Sequence, residues 1–200
     1  MIKLDVPLIK QSTETDCSLT CGLMLLRYYK YRVSRKDLFS KFKKDKLNIF
    51  ELASILEPHL KRRKIKINFF NYNFFRDEID LAHRLKKTKT SHLKILNDIK
   101  KALSTKKIII KHKIFFTEDI ENIIKKGNPL ITLVSVMEFR NVNLKRWRGH
   151  FIVLTGFDNK RFYYNDPHRD KNKFGRHGIE KGRLFAAIFR TQFPAILWIE

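Results

Sequence analysis

The sequence predicts an α+β domain in which N-terminal helices pack on a C-terminal antiparallel sheet. Apolar residues recur at helical spacing through the first half of the chain, whereas the last third carries successive apolar runs of strand length. Helices first and antiparallel strands later is the α+β arrangement. The 200 residues suit one domain spanning 1–200, with no internal repeat and no Pro/Gly linker among 7 Gly and 5 Pro. A chain of this length buries roughly 70% of its unfolded surface, enough to fold without a metal or a disulfide.

The first helix is expected from about Cys17 to Lys30, where Leu19, Leu23, Leu26 and Tyr29 share a face. Ser34 is placed to cap a short helix through Phe42, and Asn48 to open another carrying Phe50, Leu52, Ile55 and Leu56. From Lys64 to Phe70 the run KIKINFF alternates as a strand does. Phe69, Phe70, Tyr72, Phe74 and Phe75 suit either a strand and turn packed on the core or stacking on bases. Asp77, Glu78 and Asp80 read as a helix start balancing its dipole. Ser91 opens an amphipathic helix with Leu93, Leu96, Ile99 and Leu103 along one side, and Lys107 to Lys113 is a strand. Thr117 caps a helix that ends at Gly127, just before Pro129. Leu130–Met137, His150–Phe157 and Lys160–Asn165 read as consecutive strands, with Asp158-Asn159 as the turn between the last two. A helix near Ile179–Phe189 and a strand Ala195–Ile199 follow.

Charge narrows the partners. Against 43 Lys+Arg stand 20 Asp+Glu, a net charge of +23 that repels itself unless a polyanion relieves it. The cations fall in clusters along the chain: Lys61, Arg62, Arg63 and Lys64; Lys86 and Lys87; Lys145, Arg146 and Arg148 around Trp147; Arg169, Lys171, Lys173 and Arg176. Together they suggest a nucleic-acid footprint. No RGG run, zinc-finger spacing or RNP motif accompanies them, so base-specific readout has no support. Two cysteines four residues apart are no disulfide framework, and no long apolar run marks a signal or a span. The expectation is a cytoplasmic protein off the membrane, monomeric when free. The histidines show no metal-ligand spacing, so neither metal nor cofactor is expected.

The chemistry gathers around Cys17. It follows Asp16 at a helix start, where unpaired N–H groups and the helix dipole favour a thiolate. Cys21, one turn on among leucines, reads as buried filler. His150 begins a strong apolar strand, and Asp166 ends the next one, so a hairpin lets the acid orient the imidazole. Gln11, six residues before Cys17, can offer an amide N–H to an oxyanion. Cysteine, histidine, acid and amide donor is the inventory of a thiol hydrolase.

These residues also carry a resemblance. Gln11-x5-Cys17 in QSTETDC, GHFIVL at 149–154 and NDP at 165–167 resemble the peptidase C39-like branch of the papain fold. That resemblance implies a papain-like fold with Cys17 as nucleophile, His150 as base, Asp166 as orienting acid and Gln11 as oxyanion donor. DCSLTCGLMLLRYY (16–29) and GHFIVLTGFDNKRFYYNDP (149–167) are similar to signatures of the guanylyl cyclase domain-containing family, which shares the fold. Ser18 departs from that family's pattern, which has Gly after the cysteine. No glycine-rich phosphate loop or paired carboxylates occur, so cyclase chemistry is not expected. Ribosome-bound members of that family imply a dormancy factor that docks on ribosomal RNA and ribosomal proteins, at the tRNA exit site, and stabilises idle ribosomes. The sequence reading adopts that role, with a Cys-His-Asp hydrolase as the alternative.

Overall fold

The structure, a computed structural model, describes residues 1–40, 47–70, 90–146, 148–191 and 193–200, without the side chains of 90–94 and 96. The described helices are α1 (Cys17–Tyr28), α2 (Arg35–Ser40), α3 (Ile49–Leu56), α4 (Thr90–Leu103), α5 (Thr117–Lys125), α6 (Val136–Arg140) and α7 (Lys181–Phe189), with a 3₁₀ turn at Glu57–His59. Eight strands form one sheet: β1 (Ile2–Lys3), β2 (Ile65–Phe69), β3 (Ile108–His112), β4 (Leu130–Ser135), β5 (Gly149–Phe157), β6 (Arg161–Asp166), β7 (Gly175–Glu180) and β8 (Ala195–Ile199). Their order is β3-β2-β8-β4-β5-β6-β7, and β1 pairs with the far half of β5. Every pairing is antiparallel except β2 with β3. That parallel pair follows from chain length between the strands, since α4 supplies the crossover.

The sheet is apolar on both faces, which is why its central strands read as unbroken apolar runs. In β5, Phe151 and Val153 face one core with α1 and α3, while Ile152 and Leu154 face a second core with α5 and α7. In β8, Leu197 and Ile199 belong to the first core and Ile196 and Trp198 to the second. Helices therefore cover both faces, the N-terminal ones only the first. Helix α1 is the most deeply placed, with Ser18 to Leu26 all buried. A Cβ on Gly22 would lie 2.8 Å from Leu56 Cδ2, so α1 and α3 touch at a position that tolerates little. Gly156 is likewise required, because a Cβ there would lie 2.3 Å from the Ile2 carbonyl oxygen.

Several elements differ from the sequence reading. Helix α1 stops at Tyr28, with Lys30 left-handed at φ 63°. The apolar run Leu130–Met137 splits: β4 ends at Ser135 and Val136 begins α6, which periodicity within an all-apolar run does not reveal. Thr117 is the first residue of α5 rather than its cap. The cap is made by Asp119, whose Oδ2 accepts the Phe116 N–H at 2.9 Å. Strand β7 was not foreseen, because GRHGIE buries only Ile179 and sits at the sheet edge. Gly127, at φ 79°, closes α5 as expected. The acidic group Asp77, Glu78 and Asp80, and Tyr72, Phe74 and Phe75, lie outside the described residues. Phe69 does pack on the core, edge-on to Phe50 at 5.3 Å. No helix of the described residues is long and apolar enough to cross a membrane.

Asn48 makes the predicted cap. Its Oδ1 accepts the N–H groups of Phe50 and Glu51 at 3.0 and 2.9 Å, and Glu51 Oε2 accepts the Asn48 N–H at 3.0 Å. Its Nδ2 also donates to Asp98 Oδ2 on α4 at 2.7 Å, so one side chain fixes two helices. Asn48→Ala should cost about 1–2 kcal/mol of stability in urea unfolding, and a loss within error of zero would contradict this role.

Candidate active site

Cys17 occupies the first position of α1, and what precedes it leaves that helix end open. Asp16 is an N-cap residue, yet its carboxylate caps nothing in α1. It turns back instead, accepting from Ser12 N at 3.0 Å, Ser12 Oγ at 2.6 Å and Thr13 N at 3.0 Å. Arg35 Nη1 completes its shell at 3.2 Å. The QSTETD loop is thereby held rigid, and the first-turn N–H groups of α1 remain available to a thiolate or an oxyanion. Gln11 is buried in this loop. Its N–H donates to the Pro167 carbonyl at 2.7 Å, tying the loop to the chain just beyond β6, and its Nε2 donates to the Thr13 carbonyl at 2.8 Å. One Nε2 hydrogen is left over.

His150 and Asp166 are brought together as the hairpin argument requires. His150 Nε2 donates to Asp166 Oδ1 at 2.7 Å, with the two side chains 7% and 0% exposed. An ionised carboxylate only accepts, so the proton sits on Nε2, which leaves Nδ1 as the ring atom for interaction with the Cys17 side chain. Burial opposes charge on this ring. The hydrogen bonds to Asp166 and Cys17, together with their negative charge, prevail and lift its pKa from 6.5 to about 9. Burial alone would also raise the Asp166 carboxyl. The bonds and charges of His150 and Arg140, with the His168 N–H at 2.9 Å, hold it below the usual carboxylate range.

Two residues of this network were missed. Arg140 Nη2 donates to Asp166 Oδ2 at 2.7 Å, from the end of the unforeseen helix α6, where Asn141 in the left-handed region terminates the turn. No sequence signal placed Arg140 here, because its segment read as the tail of a strand. His168 lies edge-on to His150 with ring centres 5.5 Å apart. Burial, then the charges of His150 and Arg140, lower its pKa, so it stays neutral at pH 7. Its position two residues after Asp166 was the available clue.

A cavity of about 610 Å³ opens beside the thiol. Cys17, Ser18 and Gly149 form part of its wall; Phe50, Leu133, Phe151 and Phe193 make the rest largely apolar, and Glu14 and Arg148 bring charge to it. Ser18 is 2% exposed, so its side chain is absorbed into the packing. Among the described residues no group of three or more His, Cys, Asp or Glu is placed to hold a metal.

The basic clusters do not converge on one face. Lys145, Arg146 and Arg148 are exposed beside the cavity, with Arg169, Lys171 and Arg176 exposed on the loop and strand after Asp166. Several of these already have partners: Arg169 pairs with Glu14 at 3.4 Å, Lys173 with Asp170 at 3.4 Å and Arg176 with Asp5 at 3.1 Å. Lys61, Arg62, Arg63 and Lys64 are exposed at the start of β2, the opposite end of the sheet. Lys86, Lys87 and Trp147 lie outside the described residues.

Comparison with known proteins bears on the family and the fold. A family model described as the Peptidase_C39 like family matches residues 3–191. The chain belongs to the peptidase C39-like family. No curated protein matches it. A crystal structure from Bacillus anthracis designated a C39-like peptidase superposes with a TM-score of 0.56 at 15% identity, covering 100% of this chain and 98% of that one. A double glycine motif protease from an AMS/PCAT transporter, in complex with the leader peptide, gives a TM-score of 0.49 at 19% identity over 99% and 93% of the two chains.

The raised pKa of His150 links the site to stability. The unfolded value is 6.5 and the folded value about 9, so the contribution is complete below about pH 6.5 and is lost as pH rises through 9. The melting temperature of the wild type should therefore fall between pH 7 and pH 10 more than that of His150→Gln. Parallel pH curves for the two proteins would refute the linkage.

Proposed function

We propose that this chain is a cysteine hydrolase of the peptidase type acting on an amide or thioester carbonyl. The observation that carries the reading is the buried His150–Asp166 pair, with its Nε2–Oδ1 bond at 2.7 Å, whose ring interacts with the half-exposed Cys17 at the wall of an open cavity. In this reading the Cys17 sulfur adds to the carbonyl carbon, and the developing oxyanion is met by the Cys17 N–H and the spare Gln11 Nε2 hydrogen. His150 Nδ1–H passes its proton to the departing amine or thiol as the C–N or C–S bond breaks. Water then attacks the acyl-thioester, His150 takes its proton, and the acid leaves as the Cys17 thiolate is restored. Asp166 keeps Nε2 protonated and the ring aligned, and Arg140 holds Asp166 in the conformation that does so. The family assignment supports a peptidase over a cyclase.

A second reading is favoured by the net charge of +23. It makes the domain a factor docked on ribosomal RNA in idle ribosomes, the role implied by the likeness of 16–29 and 149–167 to the guanylyl cyclase domain-containing family. Under it Cys17 and its partners persist as architecture, and Cys17→Ala leaves docking intact. Sedimentation with ribosomes that weakens as salt rises would support it, and a protein that stays at the top of the gradient at low salt would end it.

For the hydrolase reading, a panel of fluorogenic peptide amides and thioesters is the test. Turnover should vanish in Cys17→Ala and fall by about 100-fold or more in His150→Gln, consistent with loss of general acid–base catalysis. The alkaline limb of kcat/KM should lie near pH 9, where His150 loses the proton the leaving group needs. Iodoacetamide should label Cys17 faster in the wild type than in His150→Gln, since the ring interacts with the thiol. Labelling no faster than that of a free cysteine, with no turnover across the panel, would overturn the reading.

A further inference from the structure

We propose that the pole of the molecule opposite Cys17 is a binding surface for the phosphate backbone of structured RNA. This deepens the second reading above and does not depend on the thiol chemistry. Its basis is how the fold gathers cations that are scattered in the sequence. Helix α1 is 12 residues long, so its far end lies about 18 Å from Cys17 at about 1.5 Å per residue. There Arg27, Lys30 and Arg32 are exposed. Tyr28 and Tyr29 draw the end of α5 to the same place, donating to the Gly127 carbonyl at 2.9 Å and to Asn128 Oδ1 at 3.0 Å. That brings in exposed Lys125 and Lys126. The Tyr29 hydroxyl also lies 2.6 Å from the Ile199 carbonyl, and Arg63 covers its ring at 4.4 Å, placing the exposed run Lys61 to Lys64 alongside. Lys107 Nζ donates to the Leu60 carbonyl at 2.7 Å, which adds Lys106 and, one turn back on α4, Lys100 and Lys101.

Four segments distant in sequence thus deliver twelve exposed cations to one end of the sheet. Few acids offset these cations. Asp37 lines the same hollow as Arg27, Lys30 and Arg32, Glu57 faces Lys107 at 3.6 Å, Glu121 is held by Lys181 at 2.7 Å and lies 4.0 Å from Lys125, and Glu200 pairs with Lys66. Three helix C-termini favour some cations, but an end-of-helix role accounts for one or two per helix. The apolar keel that a bilayer surface needs is thin, with Leu103 the large exposed apolar side chain among the described residues of these segments. Helices α1 and α5 reach the pole end-on and are packed along their apolar sides, so neither is free to enter a B-form major groove. A-form RNA, read by shape and backbone charge, is the partner this surface fits.

The test is fluorescence anisotropy of a labelled 20-base-pair RNA duplex against the full chain across a salt series. Arg62→Glu/Arg63→Glu/Lys106→Glu should weaken binding about tenfold or more near 100 mM salt and flatten the salt slope. Lys145→Glu/Arg146→Glu/Arg148→Glu at the cavity should change it by less than about threefold. If the reversal triple melts below the wild type, the neutral set Arg62→Gln/Arg63→Gln/Lys106→Gln replaces it, with loss of affinity still expected. Three results would overturn the proposal: equal or greater loss in the cavity set, tighter binding to B-form DNA of the same length, or preference for phosphatidylserine vesicles that RNA does not compete away. Cys17→Ala should bind RNA as the wild type does. A protein that binds the duplex through this pole but does not sediment with ribosomes would end the ribosome reading and leave the surface standing.

Discussion

The Asp166 carboxylate is a charge with no solvent exposure, set at the end of β6. A buried charge of this kind persists only where partners replace its hydration, and here three do: the His150 ring, the Arg140 guanidinium and the His168 backbone. Each partner comes from a different stretch of chain. β5 must lie against β6 to bring the ring, α6 must turn the chain out of β4 to bring the guanidinium, and the loop after β6 must fold back to bring the N–H. The demand of one carboxylate therefore fixes how three connections meet. It also fixes which imidazole nitrogen faces Cys17.

A complementary constraint acts from the other side. Asp16 stands where a helix cap belongs but spends its oxygens on Ser12, Thr13 and Arg35. The uncapped turn of α1 is a local cost, of the kind a surface helix would not keep. Helix α1 can keep it because its other residues are buried between the sheet and α3, so its stability comes from packing rather than from its ends. Cys17 stands half-exposed at that uncapped helix end. Cys21 lies in the same helix fully buried, where desolvation pushes its thiol up.

Much of this was legible in the sequence. Cys17, His150 and Asp166 announce themselves by position, at a helix start and at two strand ends joined by a turn. The run GHFIVLTGF gave β5 because it is long and apolar, and Asn48 gave α3 through its capping residues. What was not legible has physical reasons. Arg140 was hidden because LITLVSVM has no internal period, so the break between β4 and α6 leaves no trace. β7 was hidden because an edge strand with one buried residue carries little pattern. The covering of both sheet faces was also obscure, since alternation between two apolar cores looks the same as uniform hydrophobicity. The Asp16 network was unreadable for another reason: an Asp before a helix predicts a cap, and only Arg35 and the Ser12 turn divert it.

The place of β8 has a consequence for how the chain acquires its shape during synthesis. β8 lies between β2 and β4, so the β3-β2 pair joins the β4-to-β7 ribbon only through a strand made after all the others. Until those residues leave the ribosome, the two portions have no seam, and the wall that Phe193 and Ala195 supply to the cavity beside Cys17 is missing. Native pairings of such wide sequence separation form slowly. A nascent chain therefore carries its thiol without the finished pocket until β8 has emerged and paired.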